Sequence, residues 1–135
     1  MSILSWGSHM SVGVKVIDDQ HKKLVAVINE LDEAVVAGKG SQVHDALFEE
    51  LTDYFTQNFS TEEELMLVHD YPEYELHRAL HVDFTAKVKE LRARALKGEQ
   101  TISEEALAFL TDWLIHHDIA VDKKLGAFLV ERNVI

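Results

Sequence analysis

The sequence predicts an all-α protein: an antiparallel up-down-up-down four-helix bundle with an extended arm at its N-terminus. Three observations lead there. Apolar residues recur at steps of three or four through four long segments, the helical period. Proline occurs once, at Pro72, and glycines gather at 38, 40 and 98, so the breaks fall between those segments. No alternation of the kind a strand needs persists beyond a few residues. Helices of roughly 20 to 28 residues joined by short loops force sequential neighbours together and antiparallel.

The first helix is expected over about 18 to 37, with Asp18 or Asp19 as N-cap and an apolar stripe through Leu24, Ile28, Leu31 and Val35 that reaches back to His21. The second, about 41 to 68, starts at Ser41 and places Leu47, Leu51, Tyr54, Asn58, Glu62 and Leu65 on one side. Pro72 suits a first helical turn, where its missing N–H is harmless, so the third helix is expected to begin there. Its stripe is Tyr74, His77, His81, Phe84, Val88 and Leu91, ending near Gly98. A fourth begins at Ser103, capped by "SEE", and runs through Leu107, Leu110, Trp113, Leu114, His117, Val121 and Leu125 to about Val130. Residues before about 14 form the arm.

Bulk properties narrow the function. A chain of 135 residues with 47% hydrophobic and 27% charged side chains suits one globular domain, 1–135. Twenty-four acidic against thirteen basic residues give a net charge of -11, which repels nucleic acid and anionic membranes. With no cysteine, disulfides, thiolate metal sites and cysteine nucleophiles are out of reach. No apolar run has the length of a membrane span, and no secretory signal opens the chain, so the cytoplasm is the expected address.

The informative feature is polar. Each stripe carries metal-capable side chains where hydrocarbon belongs: His21 on the first helix, Asn58 and Glu62 on the second, His77 and His81 on the third, His117 and Asp122 on the fourth. An ionised carboxylate in an apolar interior is unfavourable by many kcal/mol unless it is paired or bound to a cation, and no Lys or Arg shares these stripes. His77 and His81, four apart, stack on one helix face at a separation suited to one ion. A lone core histidine is more often satisfied by a backbone carbonyl. Four helices contributing at once argue for cations, and five to seven ligands argue for two, of iron, manganese, zinc or copper. His9, His44, His69 and His116 fall off the stripes and are read as facing solvent. In the acidic run at 62–64 only Glu62 has the inward phase.

The motifs "IDDQHKKL" around His21, "NFSTEEELM" around Glu62, "YPEYELHRALH" ending at His81 and "DWLIHHDIAVDKK" containing His117 and Asp122 together resemble the bacterial hemerythrins, the oxygen-binding non-haem di-iron bundles. The resemblance spans about 6 to 128, and Trp6 with "SVGV" at 11–14 matches that family's arm. "GSHM" at 7–10, which looks like the remnant of a cleaved tag, is therefore read as native sequence. The resemblance implies one iron held by His77, His81 and His117. It implies a second held by His21 and a further histidine, with Glu62, Asp122 and an oxo or hydroxo group bridging. That second iron has an open position for dioxygen, and Leu24, Phe59, Trp113 and Leu114 match the family's pocket lining.

Two positions depart from the family pattern. Its H-x-x-x-E motif reads Asn58-Phe-Ser-Thr-Glu62 here, so an amide stands where an imidazole would bind the second iron. Asp118, directly after His117, occupies a place that is usually apolar. In an ideal helix Asp118 lies about 40 degrees around from Asp122 and one turn below it, so both acids can face the centre. Asp118 is therefore expected to replace the lost histidine as a metal ligand, with Asn58 either a weak oxygen ligand or a hydrogen-bond partner. A weak or missing second site, leaving one iron, is the competing expectation. The resemblance implies a protein that binds dioxygen or a similar diatomic for storage, delivery or sensing. The added carboxylate keeps open a di-iron enzyme that reduces peroxide, nitric oxide or dioxygen.

Overall fold

A computed structural model of the chain describes residues 4–135. Helices α1 (Lys15–Val36), α2 (His44–Val68) and α3 (Tyr74–Leu96) form three rods, and the fourth is α4 (Ile102–Trp113) continued through a wider π-helical stretch, Leu114–Val121, into α5 (Asp122–Val130). Among the described residues there is no strand, and none of the helices is long and apolar enough to cross a membrane. Helix α1 packs on α2 and α4, α2 on α3, and α3 on α4, which is the up-down-up-down bundle expected.

The apolar stripes close two cores. The larger gathers Leu24, Ile28, Leu31, Leu51, Phe59, Phe84, Leu110, Trp113 and Leu114 among others; the smaller holds Ile17, Met66, Tyr71, Leu125 and Leu129 with Val12 and Val14 of the arm. On every rod the polar residues of the stripe fall between a member of one core and a member of the other. The result is a polar layer sealed at both ends by hydrocarbon.

The arm is not extended throughout, because a 3₁₀ turn at Ser8–Met10 buries Met10 in the larger core. Leu4 exchanges two 2.9 Å backbone hydrogen bonds with the Asn29 amide, and the Lys22 ammonium sits 5.4 Å above the Trp6 ring. Gly126 lets the arm cross α5: a Cβ there would lie 2.0 Å from the Val12 carbonyl oxygen.

Several boundaries differ from expectation. Helix α1 begins at Lys15 with Val14 as its N-cap, while Asp18, one turn inside, accepts hydrogen bonds from Ser11 Oγ (2.5 Å) and Val12 N (2.8 Å) and so ties down the arm. A 3₁₀ turn, Gly40–Val43, precedes α2, so Ser41 caps nothing. Pro72 lies in the α2–α3 turn, two residues before α3. Ser103 is buried in α4 and hydrogen-bonds His44 Nε2 at 2.7 Å, so His44 is half-buried instead of solvent-facing. His69 is likewise half-buried, whereas His9 and His116 are exposed as expected.

The π-helical stretch replaces the single α-helix expected over 103–130. In a regular α-helix His117 and Asp122 would sit about 140 degrees apart and could not share a centre. With more residues per turn, the stretch carries them round to one face, and Asp122 Oδ1 lies 3.2 Å from His117 Nε2.

Candidate metal centre

The polar layer brings His21, Glu62, His77, His81, His117, Asp118 and Asp122 together, each at most 2% exposed. Glu62 Oε1 lies 3.0 Å from His77 Nε2 and 3.1 Å from His81 Nε2, while its Oε2 lies 3.4 Å from His21 Nε2. Asp122 repeats the arrangement: Oδ1 is 3.0 Å from His77 Nε2 and 3.2 Å from His117 Nε2, and Oδ2 is 2.9 Å from His21 Nε2. Each carboxylate thus turns one oxygen toward the three imidazoles of α3 and the π stretch, and the other toward His21. Asp118 Oδ2 stands on the His21 side, 3.6 Å from its Nε2.

Asn58 is fully buried beside the cluster. Its Nδ2 donates to Gln20 Oε1 at 2.9 Å, Gln20 Nε2 donates to Thr61 Oγ1, and Asn58 Oδ1 is 3.2 Å from the Tyr54 hydroxyl. That hydroxyl also lies 3.1 Å from Asp118 Oδ2. Tyr54 thus joins both departures from the family pattern, Asn58 and Asp118.

Electrostatics express the crowding. Burial and Asp122 would raise the Glu62 carboxyl, but bonds to His21, His77 and His81 hold it down at about 2. Asp122 is held well below the usual carboxylate range against its burial, chiefly by His117 and then by His21 and His77. Burial would lower both His77 and His21; the facing acids instead lift His77 to about 9 and His21 well above its ordinary value. Asp118 goes the other way, pushed well up by burial and by repulsion from Asp122 and Glu62 that outweigh His21. Tyr54 is pushed up by burial, then by Asp118. With no cation, the layer compensates its carboxylates by keeping protons on imidazoles.

A cation suits this layer better than those protons. His117 Nε2 and both Asp122 oxygens lie within ion-pair distance of partners, yet none has hydrogen-bond geometry, and Asp118 Oδ1 has no partner among the described residues. Nitrogen and oxygen donors without sulfur match iron. Two groupings lie compact enough for one ion each: Glu62, His77, His81 and His117, and His21, Glu62 and Asp122; a third comprises His117, Asp118 and Asp122.

Aromatic rings wall the three-imidazole side. Phe59 stacks on His81 (centroids 3.8 Å apart, 4° between planes) and Trp113 on His117 (3.9 Å, 10°), and Phe59 and Trp113 are 5.9 Å apart. Leu24 and Leu114, also expected to line the pocket, are fully buried in the same core.

Sequence reasoning missed two residues. Glu63, taken for a solvated face, accepts a hydrogen bond from His81 Nδ1 at 2.9 Å, the carboxylate-behind-imidazole pairing that orients a metal ligand. Tyr54 was read only as stripe hydrocarbon. A buried tyrosine hydroxyl needs a polar partner, and Asn58 one turn away was the available signal. The Nδ1 atoms of His21, His77 and His117 have no such partner among the described residues.

Comparison with known proteins agrees with this geometry. The family described as "Hemerythrin HHE cation binding domain" matches residues 12–129. The chain is 34% identical over 117 residues to the bacteriohemerythrin of Stenotrophomonas maltophilia, covering 87% of this chain and 75% of that one. It is 28% identical over 130 residues to the bacteriohemerythrin of Methylococcus capsulatus, covering 96% and 98%. A crystal structure of a point-mutant hemerythrin superposes with a TM-score of 0.80 at 26% identity, over 96% of this chain and 98% of that one. The chain belongs to the hemerythrin HHE cation-binding family, whose domains bind iron.

Proposed function

We propose that the protein holds two iron ions in the polar layer and binds dioxygen or a similar small diatomic there, for storage, delivery or sensing. One observation carries this reading: Glu62 and Asp122 each present one oxygen to the three-imidazole group and the other to His21. Two carboxylates split in that way suit a pair of cations, each of which partly neutralises both acids. His77, His81 and His117 are the ligands of one ion. His21 and Asp118 would serve the other, and Glu62 and Asp122, each with an oxygen on both sides, could be shared by the pair together with an oxo or hydroxo group. Bound iron supplies the open coordination position and the electrons for a diatomic ligand. The chain's own contribution is to hold the donors in register, to back His81 with Glu63, and to shut water from the centre with Phe59, Trp113, Leu24 and Leu114.

A second reading, a carboxylate-rich enzyme that reduces peroxide, nitric oxide or dioxygen, is favoured by Asp118, because a third acid stabilises ferric over ferrous iron and makes the pocket polar. Elemental analysis of protein purified without chelators tests the ion count: two per chain, falling to about one in Asp118→Ala, is expected, and one in the parent protein refutes the pair. Reduced protein exposed to air separates the functions. A long-lived visible charge-transfer band marks the carrier; rapid bleaching to a ferric spectrum with turnover of added peroxide marks the enzyme.

A further inference from the structure

The place left by the missing histidine is not filled by Asn58, whose amide turns to Gln20 and Tyr54. What reaches the His21 side from α2 is the hydroxyl of Tyr54, one turn earlier. We propose that Tyr54 is itself a metal ligand, binding a ferric ion at the His21 side through its phenolate oxygen. This inference rests on the reading of two iron ions.

The spacing of donor atoms carries it. In a six-coordinate site with bonds near 2.1 Å, neighbouring donors stand about 3 Å apart. Around His21 Nε2 the structure places Asp122 Oδ2 at 2.9 Å, Glu62 Oε2 at 3.4 Å and Asp118 Oδ2 at 3.6 Å, and the Tyr54 hydroxyl follows at 3.1 Å from that same Asp118 oxygen. The Tyr54 hydroxyl thus stands one donor-to-donor spacing from the Asp118 oxygen that faces His21. The hydroxyl is held there. The ring is 3% exposed and meets Phe59 and Phe84 edge-on, at 6.3 and 6.4 Å between centroids.

Charge selects the ferric state. Six positive charges on two ferric ions are about balanced by Glu62, Asp122, Asp118, an oxo group and one phenolate. Two ferrous ions are already about balanced by the three carboxylates and a hydroxide, so in the reduced protein Tyr54 stays a neutral phenol that donates its hydrogen bond to Asp118. Dioxygen takes one electron from each ferrous ion and the hydroxide loses its proton on becoming oxo; the phenol O–H bond then breaks, the oxygen–metal bond forms and that proton also leaves to solvent, with no electron coming from the ring. The phenolate is a hard anionic donor that suits ferric iron, and it takes over the stabilisation of the oxidised centre that an imidazole supplies less well.

The test is spectroscopic. Protein loaded with iron and oxidised in air is examined by absorption and by resonance Raman, with and without ring-deuterated tyrosine. Expected are a visible phenolate-to-ferric band and tyrosinate ring modes that shift with the label; both vanish in Tyr54→Phe and persist in Tyr74→Phe. A parent protein with two irons but no label-sensitive modes overturns the assignment and leaves the pair intact. So does a band that survives in Tyr54→Phe. A single iron per chain in the parent overturns both readings. Because the labelled parent protein decides the question, failure of Tyr54→Phe to fold does not rescue the proposal.

Discussion

Loading the metal-free protein with ferrous iron should displace protons, and the structure says how many. In the metal-free layer the acids around His77 lift it to about 9 and His21 well above its ordinary value, so near neutral pH both imidazoles are protonated. Both must be neutral to bind a cation, so loading releases at least two protons per chain. Apparent affinity should therefore climb with pH, by about a factor of ten per unit below about 9 for the His77 proton and more steeply wherever His21 also gives up its proton. Titration calorimetry under argon in buffers of different ionisation enthalpy measures the proton count directly. Release of one proton or fewer, or an affinity flat below about pH 9, would refute the account of the layer. The stability of the metal-free protein has the opposite slope. His77 has a folded value raised above its unfolded one, so its contribution is complete below about 6.5 and is lost as pH rises through about 9.

Three further outcomes can be checked on the same material. Glu62 sits at about 2 instead of 4.5, which at 1.36 kcal/mol per unit is on the order of 3 kcal/mol of metal-free stability, present above about 4.5 and lost as pH falls through about 2. Glu62→Gln should lose a comparable amount at neutral pH and lack that acid limb in urea titrations; equal stability at pH 7 would count against the ionised assignment. Phe59→Ala removes a ring that stacks on His81 and packs on Trp113 and Phe84, so it should cost about 3–5 kcal/mol in chemical denaturation. Gly126→Ala puts a methyl into the Val12 carbonyl and should cost about 1–3 kcal/mol with iron content unchanged; a drop in iron content would place the arm in the site.

The bundle and five of the inward polar side chains were legible because periodicity is a strong signal over twenty residues. His21, Glu62, His77, His81 and His117 share their phase with Leu24, Tyr54, Phe84 and Trp113, and all of these are buried. Local chemistry was less legible. Asp18 and Ser103 both looked like caps, but the first holds the arm and the second holds His44, contacts that depend on partners distant in sequence. Glu63 was hidden because a residue 100 degrees off the inward phase still reaches the back of His81 across the α2–α3 seam. The Tyr54 network was hidden for another reason: Asn58 one turn away signalled one polar partner, but the other, Asp118, comes from the fourth rod, 64 residues away in sequence.

The widened coil at Leu114–Val121 also bears on how this chain can change over time. It takes up about one residue more than a regular coil would over the same rotation, so one residue fewer between His117 and Asp122 lets the coil tighten with the two about 40 degrees apart and the following rod still in register. A single-codon deletion among residues 119–121 would then be tolerated better than its place beside the centre suggests, because the shortened segment makes a regular helix that still turns both residues inward.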